Sequence, residues 1–120
     1  EFGVWWNERT DGWPMPLGGN VVRRDLGQQV MEDITLYTKM SIEHAIAHPA
    51  DALEFAKAWG RGIDDETNKE FVSMYVNDRT IDYEDEGRSA VRQFIKEGQE
   101  LGLIDPTFDT KGMKFIGSPE

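Results

Sequence analysis

The sequence predicts a mainly α-helical segment of about four helices preceded by one short N-terminal strand. Apolar residues recur at three- and four-residue spacing from Val30 onward, which is the period of an amphipathic helix. Stop and cap residues (Pro49, Asp64 or Asp65, Asn77-Asp78, Asp82, Gly102) divide that stretch into separate helices. Upstream, Val21-Val22 stand between the flexible Gly18-Gly19 pair and the charged Arg23-Arg24 pair, an order that suits a strand.

Residues 2 to 9 suit a short helix presenting Trp5 and Trp6. Thr10-Asp11-Gly12-Trp13-Pro14 stops it, because Gly12 can turn the chain and Pro14 cannot continue a helix. An extended stretch and the strand over Leu17 to Arg24 follow, with Gly18 and Gly19 allowing close backbone approach by a ligand or a neighbouring strand. A long, well-buried helix comes next: Val30, Met31, Ile34, Tyr37, Ile42, Ala45 and Ile46 share one broad face, and Leu36 and Met40 add a second. It ends near His48, since Pro49 restricts the residue before it and opens a new helix carrying Ala52, Phe55, Ala56 and Trp59 inward, closed by Gly60 and Gly62.

Asp64 or Asp65 caps the third helix, whose buried stripe is Phe71, Val72, Tyr75 and Val76, and Asn77-Asp78 stops it. Asp82 caps the fourth, in which Ala90, Val91, Phe94, Ile95 and Leu101 repeat at helical spacing until Gly102 closes it as a left-handed cap. The chain thus divides into a loop and strand over 1–27, a helical region over 28–102 and a tail over 103–120. A single strand forms no sheet alone, so its partners come from another chain or from residues ahead of Glu1. With no Met at its start and no targeting pattern, the sequence reads as a piece of a longer protein.

Composition narrows the function. At 120 residues the chain suits one domain, and 13 Lys plus Arg against 23 Asp plus Glu give a net charge of −10. That field repels phosphate backbones and anionic lipid, so neither nucleic acid nor a membrane surface is an expected partner. No apolar run is long enough for a membrane-spanning helix. Cysteine is absent, which removes disulfide and thiolate chemistry and leaves the compartment open, with the cytoplasm as the default expectation.

The most informative segment is Trp5 to Asp25: three tryptophans (Trp5, Trp6, Trp13) beside Pro14-Met15-Pro16-Leu17-Gly18-Gly19 are either a pocket wall or a surface meant to be covered. Asp82, Glu84, Glu86 and Gly87 match the first positions of a calcium loop, but Arg88 and Gln93 break it and the helical period overrides it. His44 and His48 are four apart on a helix without a third ligand. No metal site and no cofactor is therefore expected. Arg23 and Arg24 suit either a carboxylate or phosphate clamp or ordinary ion pairs with the chain's acids. No phosphate loop, nucleophile elbow or paired nucleophile and base is present.

The run Phe2-Gly3-Val4-Trp5-Trp6-Asn7-Glu8-Arg9-Thr10, then Pro14-Met15-Pro16-Leu17-Gly18-Gly19 and Arg23-Arg24-Asp25-Leu26-Gly27, resembles the C-terminal part of the 1,4-dihydroxy-6-naphthoate synthase family. Ser41-Ile42-Glu43, Ala47-His48-Pro49, Met74-Tyr75-Val76-Asn77 and Glu86-Gly87-Arg88-Ser89-Ala90-Val91 extend the likeness over roughly the first hundred residues. The resemblance implies the C-terminal portion of an α/β fold like a type II periplasmic binding protein, with Pro16 to Arg24 as a returning strand. It implies a lyase of the futalosine route to menaquinone that cleaves cyclic dehypoxanthinyl futalosine to 1,4-dihydroxy-6-naphthoate and a dihydroxyacetone fragment.

The family's proton-abstracting histidine precedes the Trp-Trp motif, so the resemblance gives no catalytic role to His44 or His48. Asp11-Gly12-Trp13-Pro14 is about one residue longer than the family's Thr-Gly-Leu-Pro connection and sets a tryptophan where leucine is usual. The expected substrate-binding contribution is Trp13, Pro16, Leu17, Gly18 and Gly19, facing a small-molecule cleft. Alone the segment is expected to be inactive and to self-associate as a homodimer or by exchange of elements. Two other classes fit: a solute-binding component of an ABC-type transporter, which uses the same bilobal fold, and an interaction module that covers its tryptophans with a partner protein.

Overall fold

A computed structural model describes residues 1–59, 62 and 64–117. Among them are six α-helices and no strand. They are α1 Phe2–Arg9, α2 Gln28–Ala47, α3 Pro49–Lys57, α4 Asp65–Tyr75, α5 Asp78–Ile81 and α6 Glu84–Glu100, with a 3-10 turn at Arg24–Leu26. None is long and apolar enough to cross a membrane. The described residues form two compact units, one from 1–21 together with 83–117 and the other from within 22–82.

The first unit has a packed centre. Trp6 on α1 is 1 % exposed, its ring meets Phe94 of α6 edge to face at 5.6 Å, and Ala90 one turn earlier on α6 is fully buried. Such aromatic contacts add about 1 kcal/mol beyond the area they bury. The segment after α6 folds back on it. Gly102 at φ +72° ends the helix as expected; Gln99 Nε2 then donates to the Asp105 and Phe108 carbonyls, both at 2.9 Å, and Arg92 Nη2 donates to the Met113 carbonyl at 3.3 Å. The Arg92 guanidinium also lies 5.0 Å from the Phe115 ring, which meets Tyr83 edge on. Gly98 makes this return path possible, since a Cβ there would stand 2.7 Å from Ile104 Cδ1.

In the second unit α2 packs on α3, α5 and the 3-10 turn, and α3 packs on α4. Several caps form as expected. Asp64 accepts from the backbone N–H of Thr67 and Glu66 at 3.0 and 3.1 Å and from the Thr67 hydroxyl at 2.7 Å, and the Thr67 N–H and then its hydroxyl do most to hold the Asp64 carboxyl below the usual aspartate range. Pro49 is the first residue of α3. Asn77 is both a stop and a start: its side chain accepts from Arg79 N–H, and its own N–H donates to the Thr80 hydroxyl, so a capping box opens α5 where only an end was expected. That short helix also moves the next boundary. α6 begins at Glu84, not at an Asp82 cap, with Tyr83 at the N-cap and Glu84, Asp85 and Glu86 facing the positive end of the helix.

Two further expectations need correction. Residues 17 to 23 form no strand; Val21 is 98 % exposed, because an extended segment becomes a strand only when a neighbour takes up its backbone groups, and none does so among the described residues. The long helix α2 forms, but it is not well buried. Met31 is its buried residue, while Val30, Ile34, Leu36, Tyr37, Met40 and Ile46 are exposed. Ala52 and Ala56 of α3 are half-buried, while Phe55 of α3 and Trp59 just beyond it are 75 % and 76 % exposed; on α4 Phe71 and Tyr75 are exposed and Val72 is half-buried, as is Val76 just after the helix. Periodicity sets which residues share a face; burial requires a surface opposite it. The helix end expected at Gly60 lies outside the described residues, and Gly62 takes φ +80°.

Candidate functional site

The first unit carries an open recess built where α1 ends. Thr10 Oγ1 donates to the Trp6 carbonyl at 2.7 Å and the Gly12 N–H to the Asn7 carbonyl at 2.8 Å, closing the helix. Asp11 at φ +57° and Gly12 at φ +100° then reverse the chain, a left-handed pair that glycine adopts freely and aspartate tolerates. Pro14 follows, and its carbonyl accepts the Trp6 indole N–H at 3.0 Å. The same tryptophan that fills the core thus anchors the loop bearing Trp13.

Across the recess stand two residues one turn apart on α6. Gln93 Nε2 donates to Glu97 Oε1 at 2.9 Å, and Arg9 Nε donates to Glu97 Oε2 at 3.2 Å. The Gln93 bond, reinforced by Arg9, holds the Glu97 carboxyl below its usual range. Arg9 is fixed on a second side by the Trp5 ring, 5.7 Å from its guanidinium carbon. Arg9, Thr10, Asp11, Trp13, Gln93 and Glu97 together line a volume of about 440 Å³.

Of the expected site residues, Trp13 lines this recess and is half-buried. Pro16, half-buried, and Leu17, Gly18 and Gly19, all exposed, are not among its lining residues. Gly18 has open space around it, whereas a Cβ at Gly19 would come to 3.3 Å of the Tyr83 hydroxyl, so the close approach expected at the glycine pair is made by a side chain of this unit. Sequence reasoning missed Arg9, Thr10, Asp11, Gln93 and Glu97. The one signal available was the i, i+4 spacing of Gln93 and Glu97; nothing in the sequence ties them to Arg9, 88 positions before Glu97.

The other constellations resolve into local contacts. Arg23 Nε donates to Asp25 Oδ1 at 2.9 Å, the ion-pair alternative for that residue. The His44 and His48 rings stack at 4.2 Å, and His48 Nδ1 lies 2.9 Å from the His44 carbonyl. No group of three or more metal-ligating side chains occurs among the described residues, at the acidic run near Asp82 or elsewhere. In the second unit Lys57 joins Glu54 and Asp65 at 3.2 and 3.0 Å, linking α3 to the start of α4.

Residues 1–100 match the model of a family described as menaquinone biosynthesis. Two curated relatives carry the name 1,4-dihydroxy-6-naphthoate synthase. The protein from Thermus thermophilus is 36 % identical over 107 residues, covering 89 % of this chain and 39 % of the relative, and that from Streptomyces coelicolor is 26 % identical over 104 residues, covering 87 % and 36 %. The chain therefore spans less than two fifths of each relative's length. No solved structure matches it. These matches support a role in the menaquinone pathway and lend nothing to the transporter alternative. By the family match over residues 1–100, this chain belongs to the menaquinone biosynthesis family.

Proposed function

We propose that the protein carrying this segment is a lyase that converts cyclic dehypoxanthinyl futalosine to 1,4-dihydroxy-6-naphthoate, and that the segment supplies one wall of its cleft. The observation that carries this reading is the continuous family match over residues 1–100, together with two relatives named for synthesis of that product. The recess at Trp13 supports it, being a concave surface with an aromatic wall and a few fixed polar groups.

Alone, the segment is inactive in this proposal. The recess is open, and no general base stands beside a nucleophile within it; a reaction of this kind depends on groups held on both sides of the substrate, and that positioning is worth several powers of ten in rate. The unpaired extended segment over residues 17 to 23 and the exposed faces of α2 and α3 fit a larger two-lobed fold of the type II periplasmic-binding-protein kind, in which further strands and helices would cover them.

The test is incubation of a protein comprising this segment and the remainder of the family fold with cyclic dehypoxanthinyl futalosine, following the naphthoate by mass. The expected result is product from that protein and none from the 120-residue chain alone. Absence of product from the folded complete protein refutes the reaction.

A further inference from the structure

Asn68 is the buried polar residue among those described, at 6 % exposed. On α4 it stands three, four and seven positions before Phe71, Val72 and Tyr75, so it occupies the helix face where an apolar side chain is the ordinary choice. Its backbone N–H is spent on the helix, donating to the Asp64 carbonyl at 2.9 Å. Its side-chain amide has no hydrogen-bond partner among the described residues. Every fully buried side-chain nitrogen or oxygen among those residues does have a partner, so the Asn68 amide must open onto the hollow that it lines between α3 and α4. A buried amide left unpaired is unfavourable, and one facing a hollow points to a group that pairs with it there.

The walls say which group. Ala50 and Leu53 of α3 give the hollow an apolar side, and Glu54, Lys57 and Asp65 give it a polar rim around a volume of about 280 Å³. The Lys57 ammonium lies 3.0 Å from Asp65 and 3.2 Å from Glu54, and Asp65 and then Glu54 hold it above the ordinary lysine range, so it is charged and committed. Two carboxylates against one ammonium leave the rim negative, which disfavours an anion, and a cation would have to displace Lys57. A neutral group remains. The Asn68 amide offers an acceptor oxygen and a donor nitrogen side by side, and the neutral group with the matching pair on one edge is a primary carboxamide. A trans peptide group carries its N–H and C=O on opposite edges and meets only one of the two at a time.

We propose that the hollow between α3 and α4 is a binding site for a primary carboxamide, its N–H donating to Asn68 Oδ1, its carbonyl accepting from Asn68 Nδ2, and its carbon chain lying against Ala50 and Leu53. The site belongs to the second unit alone and does not rest on the reaction proposed above.

The test titrates the 120-residue chain with isobutyramide and follows the Asn68 side-chain NH2 signals by NMR. The expected result is a saturable shift at Asn68. The isosteric ketone 3-methyl-2-butanone, which keeps the acceptor and lacks the donor, should bind about fivefold more weakly, as should N-methylisobutyramide, and isobutyrate should give no saturable shift. Blocked glutamine, N-acetyl-Gln-N-methylamide, distinguishes the two sources of the carboxamide. Tighter binding than isobutyramide assigns the site to a protein side chain and weaker binding to a free small molecule, and both support the class. Asn68→Leu should abolish the shift of the neighbouring Leu53 methyl signals by isobutyramide while leaving the urea midpoint unchanged or higher, because the unpaired amide lends nothing to the unbound fold and the hollow has room for the larger side chain. Equal binding of amide and ketone, no shift at Asn68, or a marked fall in the Asn68→Leu midpoint overturns the proposal and leaves Asn68 a structural residue met by water. The ketone comparison is made in the unaltered chain, so it decides the matter even if the variant misfolds.

Discussion

Trp6 joins the core of the first unit to the recess, and replacing it separates the two roles. Trp6→Phe keeps an aromatic ring against Phe94 but removes the N–H that holds the Pro14 carbonyl. Loss of that partly buried hydrogen bond costs about 1 kcal/mol. The void left by the smaller ring at a position only 1 % exposed adds about 1 kcal/mol more. With a urea slope of about 1.5 kcal/mol per molar, the midpoint should fall by about 1.3 M at an unchanged slope. Trp6→Ala, at about 3–5 kcal/mol, would approach the whole stability of a small unit and serves as the unfolded control.

The assay is urea unfolding followed by tryptophan fluorescence in a Trp59→Phe background, so that the signal comes from the first unit. Quenching by acrylamide, measured in the same samples without urea, should rise in Trp6→Phe as Trp13 loses its anchored neighbour Pro14. A midpoint within experimental error of the parent, with Trp13 quenching unchanged, would refute the view that Trp6 supports both core and loop.

Four other outcomes follow from named contacts. Asp64→Ala removes the acceptor of two N–H groups at the start of α4 and should cost about 1 kcal/mol, read as faster hydrogen exchange in its first turn; Asp64→Asn should restore most of it. Gly102→Ala places a side chain at φ +72° and should cost about 1 kcal/mol in thermal unfolding of the first unit, with no steric clash to add to it. Because the folded pKa of Glu97 is lowered from 4.5, its contribution is complete above that ordinary range and is lost as pH falls through the lower folded value. Glu97→Gln should therefore be less stable than the parent at neutral pH and lose less on acidification, so urea midpoints that stay parallel down to about pH 3 would refute the assignment. Finally, the exposed apolar residues of α2 and α3 should drive self-association of the chain by itself, and sedimentation as a compact monomer at high concentration would refute that.

Helix positions were largely legible because they depend on neighbours within one or two turns. Pro49, Asp64 and Gly102 each act through the backbone beside them, and each does what its residue type dictates. The errors came where two local signals overlapped. Asn77 is a good stop and an equally good N-cap, and the presence of Thr80 three residues on, able to return the bond, decided for both. The recess was legible only in Trp13. Its remaining side chains come from two elements far apart in the chain, and an Arg–Glu pair of that separation leaves no periodic trace.

By itself the sequence determined the family, the helical period from Val30 onward, the acidic field and the turn at Asp11-Gly12, since each depends on composition or on residues adjacent in the chain. Tertiary structure alone decided which apolar residues are buried, that the segment after α6 folds back over it, and that Arg9, Trp13 and Glu97 share one recess. The physical reason is that burial and long-range pairing are properties of two surfaces meeting. A helical face of Val30, Ile34 and Tyr37 is written into one strip of sequence, but what covers it is not.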